Sequence, residues 1–178
     1  MTETHAVRVA ELPQNATVTF DISPDAEARA LIAAELELSA LRKLRFAGKI
    51  TAQGRRDWLL EGTLGATVVQ PCVVTLEPVT TRIDTAVRRL YLAEMEVPEG
   101  AEVEMPEDDT AEPLGAVIDP EAVMIEALEL ALPLYPRSEG AELGEAVFTE
   151  PGKQAMRDED TRPFAALASL RGTTKDKP

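Results

Sequence analysis

One thiol is available to this chain: Cys72, in the stretch VVQPCVVTLEPV at residues 68–79. A zinc knuckle built as Cys-x-x-Cys needs its second thiolate three residues on, where Thr75 stands, and the single histidine is the distant His5. Zinc sites are assembled from several thiolate or imidazole ligands, so no metal site is read here. One cysteine also excludes an internal disulfide. Cys72 therefore reads as a packed or partly packed residue of a strand. The acidic run EDD at residues 107–109 lacks the alternating ligands and turn glycine of a calcium loop and reads as solvated loop. There is no phosphate loop, no Gly-x-Ser-x-Gly elbow and no histidine near Cys72 in sequence to activate it. Pairs among the 32 acidic residues discriminate nothing. A small metal-dependent hydrolase or nuclease is a remote alternative; the expectation is no enzyme and no cofactor.

A second group of residues carries more chemistry. Between Leu38 and Arg56 lie Arg42, Lys43, Arg45, Lys49, Arg55 and Arg56, with no Asp or Glu among them. From Leu44 to Ala52 the even positions are apolar or small, while Lys43, Arg45 and Lys49 occupy odd ones, so one face of a strand is core and the other basic. That face is either solvent-exposed edge protection or a surface for RNA phosphates. With aromatic residues at 4%, contact to phosphates is more economical than base stacking.

Net charge is -14, but it is unevenly spread. Residues 1–93 are balanced, residues 94–160 carry -17 and residues 161–178 carry +3. The acidity therefore opposes a polyanion at long range without deciding the sign of each local face. The N-terminal MTETHAVRVAELPQ has no basic region followed by an apolar core, and no apolar run approaches roughly eighteen residues, so the expectation is a cytoplasmic protein with no membrane partner.

The elements that must position these residues alternate in period. AVRVAELP and ATVTFDI predict short strands. SPDAEARALIAAELELSAL predicts a helix over about 24–40 with Ser23 as cap and Ala28, Leu31, Leu38 and Leu41 near one face. Period two then runs through residues 44–52, a turn at GRR, and further strands through Trp58–Val68, CVVTLEPV and TTRIDTAVRRLYLAE. Residues 94–116 predict an acidic mobile loop. IDPEAVMIEALELALPLYP predicts a helix over 120–132, capped by Asp119, with Ala122, Ile125, Leu128 and Leu132 inward. RPFAALASLRG offers a short terminal helix whose stripe of Phe164, Leu167 and Leu170 packs on the domain itself or binds a partner. The expected fold is α+β: a mostly antiparallel, strongly twisted or barrel-like sheet packed by two main helices, one domain over 1–172 and a tail over 173–178.

VVQPCVVTLEPV, IDPEAVMIEALELALPLYP and RPFAALASLR, in this order and with an acidic loop before the helix, resemble the YceD family, the large ribosomal RNA subunit accumulation proteins. The resemblance implies a small cytoplasmic, non-catalytic factor in large ribosomal subunit biogenesis, with large-subunit ribosomal RNA or a pre-ribosomal particle as partner. A second mechanism is that of an acidic, chaperone-like binder of a basic ribosomal protein. Two departures matter: Thr75 replaces the second cysteine, and RSEGAELG stands where some members carry a Cys-rich stretch. A zinc role proposed for Cys-rich members is therefore not carried over.

Overall fold

Strand β1 is only Val7–Arg8, followed by a 3-10 turn at Val9–Glu11, and β2 is Val18–Ile22. The computed structural model describes residues 5–95 and 110–142, and the chain divides into two units, Met1–Gly140 and Ala141–Pro178. All elements described here belong to the first unit. Phe164, Leu167 and Leu170 lie outside the described residues.

Helix α1 spans Ala26–Glu35, shorter at both ends than the sequence predicts. Asp25, not Ser23, caps it, accepting a 2.8 Å hydrogen bond from the Ala28 amide. Its other end is a Schellman closure: Leu38 N donates to Ala33 O at 2.8 Å, Glu37 N donates to Ala34 O at 3.4 Å, and Glu37 takes φ 53°. A glutamate in the left-handed position gives no glycine stop signal, which is why the helix reads as longer. Ile32 and Ala33 are buried, and Leu31, expected inward, is 69% exposed.

Strands β3 (Ala40–Gln53), β4 (Asp57–Pro71) and β5 (Pro78–Leu92) form a long antiparallel meander. Gly54, at φ +68°, turns β3 into β4. A bulge breaks the β3 alternation near its start. Leu41 pairs with Val68 and Lys43 with Thr67, leaving Arg42 as the extra residue, so both Leu41 and Leu44 point inward and Arg42 and Lys43 both face out. From Leu44 onward the even positions are the inner face, as the periodicity predicts. Phe46, Ile50, Trp58, Leu60 and Leu64 are essentially fully buried there. Each such side chain stabilises the fold by roughly 1.5–3 kcal/mol, and Leu64→Ala would cost about 2–5 kcal/mol through the cavity it leaves.

After β5 the chain returns as β6 (Ala111–Pro113), which pairs parallel with Leu90–Leu92, then β7 (Val117–Ile118), which pairs antiparallel with β1. Residues 111–113 thus add a strand where loop alone is expected. Residues 96–109 of the acidic segment lie outside the described set. Helix α2 (Pro120–Ala131) starts at Asp119, which accepts hydrogen bonds from the amides of Glu121 and Ala122. Its buried face is Val123, Met124, Ala127 and Leu128; Ala122 is exposed and Ile125 and Leu132 are half-buried.

The sheet order is β2-β3-β4-β5-β6, and the sheet stays open; the barrel expectation is not met. Closure would require β2 to pair with β6, yet these edges have five and three residues against fourteen or fifteen in the central strands. Ile32 and Ala33 of α1 and Val123, Met124, Ala127 and Leu128 of α2 fill the core beside the inner sheet face, in place of a closing sheet wall. The fold class is α+β, with a mostly antiparallel sheet and two helices.

Candidate nucleic-acid interface

The outer face of β3-β4-β5, beside the entry into α1, forms an open groove of about 820 Å³. Register explains its lining. Lys43 sits opposite Thr67, which sits opposite Arg82; the next outward row is Arg45, Gly65, Asp84. Strands lie roughly 4.8 Å apart, so Lys43 and Arg82 flank the groove roughly 10 Å apart. Arg29 of α1 and Arg42 of the bulge complete the cationic rim. The floor is of small residues, Ala47, Thr63, Gly65 and Thr67, two of which bring hydroxyls. Gly65 leaves room for Arg82: a Cβ there would lie 2.7 Å from Nη2, so a larger residue would displace that guanidinium.

Two of these cations are held by carboxylates. Arg45 forms a fork with Asp21, at 2.9 Å from Nε and 2.6 Å from Nη2. Arg82 grips Asp84 through both Nε and Nη2 and reaches Thr67 Oγ1 with Nη1 at 3.5 Å. The guanidinium hydrogen bonds hold both Asp21 and Asp84 below the ordinary carboxylate pKa, and each aspartate raises its arginine in turn. Arg42 and Lys43 make no ion pair among the described residues. Arg29 donates from Nη1 to Pro24 O at 2.6 Å, while its buried Nε has no partner among the described residues. With five cations lining the groove against Asp84, and Asp21 beside Arg45, the local charge is positive on a chain of net charge -14.

The six cations singled out in the sequence do not form one cluster. Lys43, Arg45 and Lys49 do share the exposed face, but Lys49 pairs with Glu61 at 3.4 Å. Arg55 and Arg56 lie at the hairpin tip, roughly 33 Å from Lys43 at about 3.3 Å per strand residue, where Arg56 pairs with Glu94. Arg29 and Arg82 join the groove in their place. Arg82 was detectable only through cross-strand register and Arg29 only through the path of the chain into α1.

Cys72 is buried, but it lies in the turn joining β4 to β5 and not in a strand. The turn closes through Cys72 N to Glu77 O and Leu76 N to Cys72 O, with Leu76 at φ 62°. Sγ accepts hydrogen bonds from the amides of Val74, Thr75 and Ser138 and from the Ser138 hydroxyl, at 3.3–3.5 Å. The Ser138 and Thr75 hydroxyls foremost, and then the amides of the same two residues, lower the thiol pKa from 9.0 to about 6. One sulfur and two neutral hydroxyls, Thr75 and Ser138, converge there, with the hydroxyl oxygens 3.2 Å apart. That is a poor donor set for zinc. Among the described residues no group of three or more His, Cys, Asp or Glu side chains gathers that could hold a metal ion, and His5 precedes β1.

Among the described residues no helix is long and apolar enough to cross a membrane. Comparison with curated proteins and with solved structures gave no significant match. The family model described as Large ribosomal RNA subunit accumulation protein YceD matches residues 60–171, which include most of β4, the Cys72 turn, β5 and α2. With well over half of its length inside that match, the chain belongs to the YceD family.

Proposed function

We propose that the protein is a non-catalytic factor in large ribosomal subunit biogenesis, supporting accumulation or processing of large-subunit ribosomal RNA through phosphate contacts in the β3-β4-β5 groove. Membership of a family described by large ribosomal RNA subunit accumulation supports the choice of RNA. The observation that carries the mechanism is the groove's excess of positive charge over a floor of small residues. Phosphate binding follows local field, and Arg42 and Lys43 stand without carboxylate partners among the described residues. Arg45 and Lys49 contribute less, because Asp21 and Glu61 already neutralise them. Arg55 supplies a second, separate basic point at the hairpin tip, where Arg56 is already paired with Glu94.

A second reading rests on the acidic segment 94–112, within the stretch 94–160 that carries -17: this segment shields a basic ribosomal protein until it is delivered to RNA. One experiment separates the two. Tagged protein is crosslinked in cells, and the RNA and proteins attached to it are identified. Large-subunit RNA crosslinked through peptides of β3 and β5 supports the groove. A basic ribosomal protein recovered without RNA supports the acidic segment. Recovery of neither overturns both.

A further inference from the structure

We propose that the groove recognises the sugar–phosphate ridge of double-helical RNA, and not unpaired bases; this rests on the phosphate-binding reading above. Base reading of single strands relies chiefly on aromatic platforms. None of the groove-lining residues is aromatic. Phe46, Trp58 and Tyr91 are buried in the core on the opposite face, and Phe20 packs against Phe46 with ring centroids 5.0 Å apart. Instead the groove offers hydroxyls along its floor and rim. Thr63 is exposed on the floor, Thr67 lies directly between Lys43 and Arg82, and Ser23 stands at the rim. Hydroxyls in a groove that also carries five cations suit a backbone that presents phosphates and 2′-hydroxyls together. An A-form duplex displays both along its wide, shallow minor groove, and a B-form DNA duplex of the same sequence lacks the 2′-hydroxyl. A concave floor without rings admits that convex ridge, and the three long, mutually paired strands hold its donors in place.

The test uses the full chain with three probes: an RNA duplex of about 16 base pairs, the DNA duplex of the same sequence, and one RNA strand designed not to fold. The expected order is RNA duplex tightest, with the single strand and the DNA duplex each about tenfold or more weaker, measured at one salt concentration. Thr63→Val with Thr67→Val removes the hydroxyls at nearly constant shape. It should close the gap between RNA and DNA duplexes by about three- to tenfold per hydroxyl used, leaving DNA binding little changed. Thr63→Ala alone provides the readout if the double variant fails to fold, as judged by its melting curve. Single-stranded RNA bound as tightly as the duplex overturns the proposal while leaving phosphate binding standing. So does DNA bound as tightly as RNA, or a folded hydroxyl variant that keeps the full RNA preference. Failure to bind any of the three probes overturns the phosphate-binding reading itself.

Discussion

Arg82 and Arg89 stand seven residues apart on β5 and therefore point to opposite sides of the sheet. Arg82 is about half exposed, at 51%, and shares the groove with four other cations. Arg89 is 14% exposed and meets two carboxylates, Glu112 of β6 at 2.8 Å and Glu126 of α2 at 2.6 Å. The same side chain thus serves two purposes. Where cations outnumber anions and water has access, the surplus charge is available to a ligand. Where one cation is enclosed by two anions, the charge serves to hold the edge strand to the helix. Local stoichiometry and burial decide between binding and holding, and residue type does not.

The largest effect should appear on the binding side. Replacing Arg42, Lys43 and Arg82 together by Gln should weaken RNA binding by about ten- to a hundredfold. The slope of log affinity against log salt should shrink by roughly 0.7 to 0.9 for each phosphate that the variant no longer neutralises. Stability should remain within about 0.5 kcal/mol, since these side chains are on the surface. An unchanged salt slope would show that the groove carries no phosphate.

The opposite pattern is expected for Arg89→Leu: about 1–2 kcal/mol lower stability in urea unfolding with RNA affinity intact. The decrease sits below that of a fully buried pair because Glu112 and Glu126 are 40% and 50% exposed. If this variant failed to bind RNA while keeping its stability, the division between the two faces would collapse.

Cys72 sharpens the comparison, since its hydrogen bonds hold a turn with no cation involved. Its folded pKa, about 6, lies below the ordinary 9.0, so the folded state favours the thiolate more than the unfolded state does. Stability from this source is full above pH 9, declines as pH falls towards 6 and is absent below that. Wild type should therefore gain on Cys72→Ala as pH rises between these limits, measured by urea midpoints. Parallel curves would contradict the thiolate assignment. Chelation should leave the wild-type melting curve unchanged, and elemental analysis should find no stoichiometric zinc.

The smallest effect concerns the carboxylates. Asp84→Asn frees Arg82 and should tighten RNA binding about two- to threefold, whereas Glu112→Gln should cost stability and leave affinity alone. Weaker RNA binding by the Asp84 variant would mean that the aspartate orients Arg82 for its ligand and does not compete with it.

Much of this arrangement is legible in local sequence. The alternation from Leu44 to Ala52 gives the inward and outward sides of β3 because the side-chain period of a strand is a local property of the backbone. Asp119 followed by Pro120 marks the start of α2 because cap and first-turn chemistry involve neighbouring residues only. Charge density likewise separates the acidic segment from the balanced N-terminal half. The family resemblance rests on stretches of this kind, and the YceD match bears it out.

Where local signals mislead, a distant contact or an unusual residue has intervened. Glu37 closes α1 in a position where glycine would have announced the stop, and Leu31 within the helix faces solvent. Arg42 enters a bulge that only pairing with β4 reveals. Cys72 sits in a turn closed by Glu77 and Leu76, and Ser138, 66 residues away, brings its amide and hydroxyl to the sulfur. Composition and periodicity by themselves determined an α+β protein with a basic strand and an acidic segment. Which cations remain available to a phosphate was decided only by tertiary structure: strand register set Arg82 beside Lys43 and Asp21 beside Arg45, and electrostatic pairing acts through a few ångströms of space irrespective of separation along the chain.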